Sequence, residues 1–270
     1  MEEREVEKLL ESEEVEKKNA GVAAFFDLDG TLMCLPSLEK RFFSVLRYRK
    51  LIGARNYVLW IAEAVRLVPR GINQVMHANK MHLRGISVDE KYSLKARSFY
   101  PEAIERVAWH AERGHLLVIV SGTLEFLAER AARALEAELD ARGLACAIRV
   151  CATRLEEKNG RLTGRIVGDA MFGEAKARTI RRIAAAKDLD LARCFAYGDS
   201  ASDKWMLEAL GKPVAVNPSN DLGRIARRND WAVLRWGKEK TSTKRAQRAQ
   251  RKDEGEHEMQ VVRAKAGFRA

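Results

Sequence analysis

What most limits the fold of this chain is a series of short apolar runs, several of which stop at acidic or small polar residues. The runs lie at 22–26, 116–120, 146–152, 194–197, 213–216 and 231–235. All are short, and those at 22–26 and 116–120 are apolar on both faces, as a strand buried in a parallel sheet must be. Helix-period segments alternate with them. The pattern predicts an α/β chain built on a doubly wound parallel sheet. A hairpin is expected at Arg161 to Val167, entered through Asn159-Gly160.

Open sheets of this kind place ligands at their strand tips. The first run ends in Phe25-Phe26-Asp27-Leu28-Asp29-Gly30-Thr31. Side chains alternate along a strand, so Asp27 and Asp29 share one side. Two carboxylates that close repel each other, and burying both is costly without a cation. A hard divalent metal held by oxygens would offset that cost. Taken alone, the stretch could also be a polar loop with a turn at Asp29-Gly30. The run 116–120 ends in Ser121-Gly122-Thr123, with a helical pattern from Leu124. A hydroxyl and a glycine at such a turn offer O–H and N–H groups to an anion. The same triplet is also an ordinary helix start. Lys176 opens an amphipathic helix, Ala175 to Ala186, where a lone lysine is ordinarily a solvated charge. The run 194–197 leads into Gly198-Asp199-Ser200-Ala201-Ser202-Asp203, again two carboxylates at a strand end. Asp203 also fits the plain role of an acid at a helix start.

In their order, Asp27-x-Asp29-Gly30-Thr31, Ser121-Gly122-Thr123, Lys176 and Gly198-Asp199-x-x-x-Asp203 resemble the haloacid dehalogenase superfamily of aspartate-nucleophile phosphohydrolases. The resemblance covers residues 21–236 and points to the branch that includes phosphoserine phosphatases. Asn217-Pro218 after the run 213–216 also looks like this branch. The resemblance implies a Rossmann-like core with a small helical cap inserted after the first motif. It implies that Asp27 is the nucleophile, forming an aspartyl-phosphate. Asp29 would be the general acid and then the base. Mg2+ would be bound by the Asp27 carboxylate, the Asp29 backbone carbonyl and Asp199. Ser121, the backbone around Gly122 and Lys176 would hold phosphoryl oxygens. Asp203 would orient a metal water or Lys176, and Thr31 would orient Asp29 or fix the loop. The chain departs from phosphoserine phosphatases at two places. Pro36 stands where they carry a glutamate, with Glu39 the nearest acid, and Ser202 stands where they carry an asparagine. Those residues read the substrate, so the departures touch phosphoserine selectivity and leave the phosphatase chemistry intact. Dehalogenation is disfavoured, because Asp29 fills the acid/base position that phosphotransferring relatives need.

The expected organisation is a charged arm at 1–20, a catalytic core at 21–32 and 101–236, a helical cap at 33–100 and a basic, disordered tail at 237–270. The arm is rich in Glu, and a nascent helix is expected around 242–252 in the tail. At 46% hydrophobic and 32% charged, the chain reads as a soluble globular protein. Cys34, Cys146, Cys151 and Cys194 have no metal spacing and read as reduced thiols, which fits a cytoplasmic protein. No signal peptide or membrane span is visible. The net charge of +11 is spread over the cap, the helix after Lys176 and the tail. Such a surface draws phosphorylated metabolites, anionic headgroups or nucleic acid. Phe42, Phe43, Tyr48, Tyr57, Trp60 and Ile61 are expected to be mostly cap core at helical spacing, with some left to line an apolar substrate pocket or to rest on a membrane surface. Three functions fit. The first is a Mg2+-dependent phosphomonoesterase acting on a small, phosphoserine-like metabolite. The second is a lysophospholipid or lipid-headgroup phosphatase at anionic membranes. The third is a non-catalytic anion- or RNA-binding protein. The tail is expected to give weak contact with anionic membrane or nucleic acid.

Overall fold

The computed structural model describes residues 21–71, 75, 77–87 and 99–237. The charged arm and the tail from 238 onward, with the helix expected around 242–252, lie outside the described residues. The chain divides into a unit ending at Leu234 and a second unit beginning at Arg235.

Six parallel strands form the central sheet of the first unit. They are β1 (Ala23–Phe26), β2 (Leu116–Leu124), β3 (Ile148–Thr153), β6 (Phe195–Gly198), β7 (Lys212–Val216) and β8 (Ala232–Leu234), in the order β3-β2-β1-β6-β7-β8. β1 is apolar throughout and fully buried, as its central place requires. It pairs with β2 on one side (Phe26 opposite Ile119) and with β6 on the other (Phe26 opposite Tyr197). The chain winds outward from β1 to β3 and then returns to the far side of β1 at β6. The reversal leaves a crevice between the β1 and β6 tips, where such sheets collect ligands.

Helices α3 (Pro101–Ala111), α4 (Glu125–Asp140), α5 (Glu174–Lys187), α6 (Lys204–Glu208) and α7 (Asn220–Arg228) connect the strands. The expected hairpin forms from β4 (Leu155–Lys158) and β5 (Arg161–Ile166). Asn159 and Gly160 both take positive φ, 52° and 71°, the backbone that a tight two-residue hairpin turn requires. One expected boundary shifts. Ser121-Gly122-Thr123 is not a strand-to-helix turn but part of β2, which runs on to Leu124 through a register shift against β3. The bulge turns these residues toward the crevice.

Between β1 and α3 the chain carries α1 (Leu38–Tyr48) and α2 (Ala54–Leu67). Ser37 caps α1, its side chain accepting from the Lys40 N–H. Phe42 is buried and meets Phe126 of α4 edge-on at 5.5 Å, which ties α1 to the sheet layer. The reading of the aromatics here as core holds for Phe42 and fails for others. Tyr48 is 89% exposed and Ile61 58% exposed. Among the described residues no helix is long and apolar enough to cross a membrane, and all four cysteines are free thiols.

An aromatic stack backs the central strands. Phe26 lies parallel to Tyr197 at 4.7 Å, and the Tyr197 hydroxyl lies 2.9 Å from His110 Nε2. Burial holds the His110 imidazole neutral, with its pKa down at about 3, and nearby His115 and Arg106 push the same way. A histidine depressed below its ordinary 6.5 stabilises the fold above that pH. As pH falls, the unfolded chain takes up a proton that folded His110 refuses, so that stability is lost toward pH 3. The difference in thermal midpoint between wild type and His110→Gln should therefore be largest near neutrality and shrink steadily on acidification. A difference independent of pH would mean that His110 carries no such strain.

Candidate active site

The crevice between the β1 and β6 tips gathers the sequence-predicted residues. Asp27 leaves β1 with its N–H donating to the Tyr197 carbonyl at 2.8 Å, which fixes its backbone beside β6. Its carboxylate Oδ1 accepts from Lys176 Nζ at 2.6 Å. The same ammonium donates to Asp203 Oδ1 at 2.6 Å. Lys176 is therefore not a solvated charge. It lies on the buried face of α5 with Ile180 and Ile183, and only 2% of it is exposed. Breaking a buried ion pair of this kind by removing one partner costs about 3–5 kcal/mol.

Asp203 is held in turn. Its Oδ2 accepts from the Ser200 N–H at 3.0 Å, the Ser200 hydroxyl at 2.9 Å and the Asp199 N–H at 3.2 Å. With both oxygens engaged, Asp203 works as a fixed anchor for the lysine. Two glycines permit close approaches here, Gly30 between the two loops and Gly198 within the turn after β6. Gly30 takes φ +90°, and a Cβ there would lie 2.3 Å from Asp199 Oδ2. A Cβ at Gly198 would lie 2.6 Å from Asp203 Cβ. Close approach therefore requires both glycines, and Gly30 is required by its positive φ as well.

Asp29 stands on the other side of the loop. Its Oδ1 accepts the Leu38 N–H at 2.6 Å, and its Oδ2 accepts the Thr123 hydroxyl at 2.7 Å. The Leu38 N–H is one of the donors left over at the start of α1. The expectation that Thr31 orients Asp29 is corrected by this arrangement. Thr31 is buried, but its hydroxyl has no hydrogen-bond partner among the described residues. Thr123 does the orienting, and its own N–H donates to Ser121 Oγ at 3.3 Å. Thr153 secures the bulge from below, donating to the Gly122 carbonyl at 2.9 Å and accepting the Met171 N–H at 3.1 Å. Thr123 lies inside a motif already singled out, so a hydroxyl at the third position was the available signal. Thr153 gives none, because its partners are distant in sequence.

The electrostatics follow from burial. Desolvation raises the Asp27 carboxyl to about 7 against the pull of Lys176. Desolvation together with Asp27 and Asp203 raises Asp199 to about 8. Burial also raises Asp29, although the Leu38 N–H and Thr123 hydroxyl partly offset it. Burial alone would lower Lys176, but Asp203 and Asp27 outweigh it and hold the ammonium above the ordinary lysine range. Carboxylate oxygens of Asp27, Asp199 and Asp203 lie within 4.8 Å of one another. One lysine does not balance three carboxylates; burial is the main reason that Asp27 and Asp199 are raised, and the neighbouring carboxylates add to it. An all-oxygen donor set short of positive charge fits a hard divalent cation, with Asp27 and Asp199 its carboxylate ligands.

Glu39, the acid nearest to the departure at Pro36, is taken by a partner. Lys80 Nζ donates to its two oxygens at 2.6 and 2.8 Å in a largely buried pair. His77 stacks on Phe172 at 3.6 Å, and a cavity of about 930 Å³ beside it is lined in part by Arg66, Arg165 and Arg178.

A family model described as haloacid dehalogenase-like hydrolase matches residues 24–208. A probable phosphatase of Mycobacterium tuberculosis is 31% identical over 80% of this chain and 75% of its own length. A protein of the same organism named phosphoserine phosphatase is 30% identical over 78% of this chain and 70% of its own length. The solved structure of a Bordetella pertussis protein of unknown function superimposes with a TM-score of 0.62 at 27% identity, covering 80% of this chain and 99% of that one.

A cation at these carboxylates must displace their protons, so binding should tighten as pH rises through about 7 to 8. Adding Mg2+ to metal-free protein should raise the thermal midpoint more at pH 8 than at pH 6. Asp199→Asn should lose most of that rise. An equal rise in the variant would remove Asp199 from the cation site.

Proposed function

Because this chain belongs to the haloacid dehalogenase-like hydrolase family, we propose that it is a Mg2+-dependent phosphomonoesterase working through an aspartyl-phosphate on Asp27. The observation that carries the reading is the pair of 2.6 Å bonds by which buried Lys176 joins Asp27 to Asp203 at the sheet's switch point. A nucleophile for phosphate must be anionic and must survive the approach of another anion. Lys176 keeps Asp27 oriented and screens that encounter.

In the first half-reaction an Asp27 oxygen forms a bond to phosphorus as the bond to the leaving oxygen breaks. Asp29 gives the leaving oxygen its proton, and the raised Asp29 pKa keeps that proton available. Ser121, the Gly122 N–H and Lys176 hold the phosphoryl oxygens. In the second half-reaction Asp29 takes a proton from water, the water oxygen bonds to phosphorus, and the Asp27–phosphorus bond breaks. Mg2+, held by the Asp27 and Asp199 carboxylates and the Asp29 carbonyl, would supply positive charge between nucleophile and phosphate. Thr123 and the start of α1 keep Asp29 aimed throughout.

The substrate class is a small phosphorylated metabolite. A curated relative bearing the name phosphoserine phosphatase supports this. Neutralisation of Glu39 by Lys80 argues that a leaving group is read differently here than by a free carboxylate.

Purified protein should hydrolyse an activated aryl phosphate with Mg2+ and lose that activity in EDTA. Asp27→Asn should retain no more than background turnover while folding normally, and residual activity in a clean preparation would reject Asp27 as nucleophile. Asp29→Asn should slow an alkyl phosphate by about 10²–10⁴-fold and slow phosphoenzyme formation from the aryl phosphate much less. Equal losses on the two substrates would reduce Asp29 to a structural role.

A further inference from the structure

A groove of about 850 Å³ runs between α5 and β3, an edge strand of the sheet. Half-buried Val150, Cys151 and Met171 and the 44% exposed Val167 give it an apolar floor. The acids that line it, Glu125 and Asp169, are engaged. Glu125 Oε2 lies 3.9 Å from Arg154 Nε, and Asp169 Oδ2 accepts from Arg178 at 2.8 Å. Arg181 and Arg182 line the same groove and are exposed. Arg182 donates to the Thr179 hydroxyl at 3.2 Å. Exposed Arg149 of β3 stands close by, and it and Arg182 both act on the Cys151 thiol. No carboxylate among the described residues pairs with Arg149, Arg181 or Arg182.

The acidic arm leaves the fold beside this groove. Residues 1–20 carry eight Glu against four Lys or Arg, a net charge of −4. Val6, Leu9 and Leu10 recur at i, i+3 and i+4, so in a helix they share one face. The arm joins the sheet at Gly21, whose N–H donates to the Asp188 carbonyl at 2.9 Å. Asp188 is the residue that follows α5. Leu10 is eleven residues from Gly21, a reach of up to ~36 Å, whereas the 14 residues of α5 span ~21 Å. A tether this short holds the arm near the groove at about millimolar effective concentration, an advantage that no free polyanion has. Other cations at this end of the sheet are occupied. Arg113 and Lys212, which act on His115 at the start of β2, lie over the Trp109 and Phe195 rings at 3.9 and 4.7 Å.

We propose that the acidic arm, residues 2–16, docks within its own chain in the groove between α5 and β3, with Val6, Leu9 and Leu10 on the apolar floor and glutamates on Arg149, Arg181 and Arg182. The docking stands apart from the phosphatase reading, because no residue of the crevice takes part.

Amide hydrogen exchange on the full-length protein reads the docking directly. At low salt, residues 2–16 should exchange about tenfold or more slower than in an isolated peptide of the same sequence. In roughly 1 M NaCl they should approach the peptide rate, because the contacts are surface charges. Arg181→Glu/Arg182→Glu should abolish the protection and leave the thermal midpoint within a few degrees of wild type, since both side chains are exposed. Glu7→Lys/Glu11→Lys/Glu14→Lys should abolish it from the other side of the contact without touching the folded core. Protection in the wild type should be independent of protein concentration. Three outcomes overturn the proposal. They are a wild-type arm that exchanges at the peptide rate, protection that Arg181→Glu/Arg182→Glu leaves intact whether or not Arg113→Glu/Lys212→Glu removes it, and protection that disappears on dilution, which would place the arm on a second copy.

Discussion

The ammonium of Lys176, buried between the carboxylates of Asp27 and Asp203, is the interaction on which the rest of the site depends. A charge taken that far out of water survives only when its partners are fixed and hydrogen-bonded. Each fixation can be traced to an element. β1 places Asp27, α5 delivers Lys176 on its buried face, and the turn after β6 holds Asp203 through the Ser200 and Asp199 amides. Gly30 lets the two loops come close, and Gly198 lets the turn after β6 fold Asp203 back against the strand end. Even so, one ammonium stands against three clustered carboxylates, an all-oxygen set that a divalent cation would fit.

The two aspartates of the first motif are separated by their surroundings. Asp27 faces the lysine and the acidic cluster. Asp29 faces a hydroxyl and an amide at the start of α1. Burial raises both carboxyls, but Lys176 pulls Asp27 toward its ionised form while the two donors on Asp29 are neutral. The assignment of roles rests on these different partners more than on the motif itself.

Much of this was legible in the sequence, for physical reasons. Strands buried on both faces must be apolar throughout, so the runs at 22–26 and 194–197 announced themselves, and their tips fixed where the aspartates would gather. Asn159-Gly160 announced its turn through backbone conformation. Long-range hydrogen bonding is not written locally, so Thr153 and the Leu38 amide carried no signal, and Thr123 carried only its place in the Ser121-Gly122-Thr123 motif. Ser121-Gly122-Thr123 read as a helix start because nothing local marks a bulge that only the β3 pairing reveals. Ile61 shows another limit. Periodicity identifies an apolar face, but it does not say whether that face meets a core, and Ile61 faces solvent where core was expected.

The central claim is that the phosphoryl group passes through Asp27. The most direct measurement is borohydride reduction of protein quenched during turnover of a phosphate ester, followed by peptide mass analysis. An acyl phosphate at Asp27 is reduced to the alcohol, so the account predicts homoserine in place of Asp27 in the peptide that contains it, and none without substrate. Reduction at another residue, or an unreduced chain under conditions of steady turnover, would contradict the account.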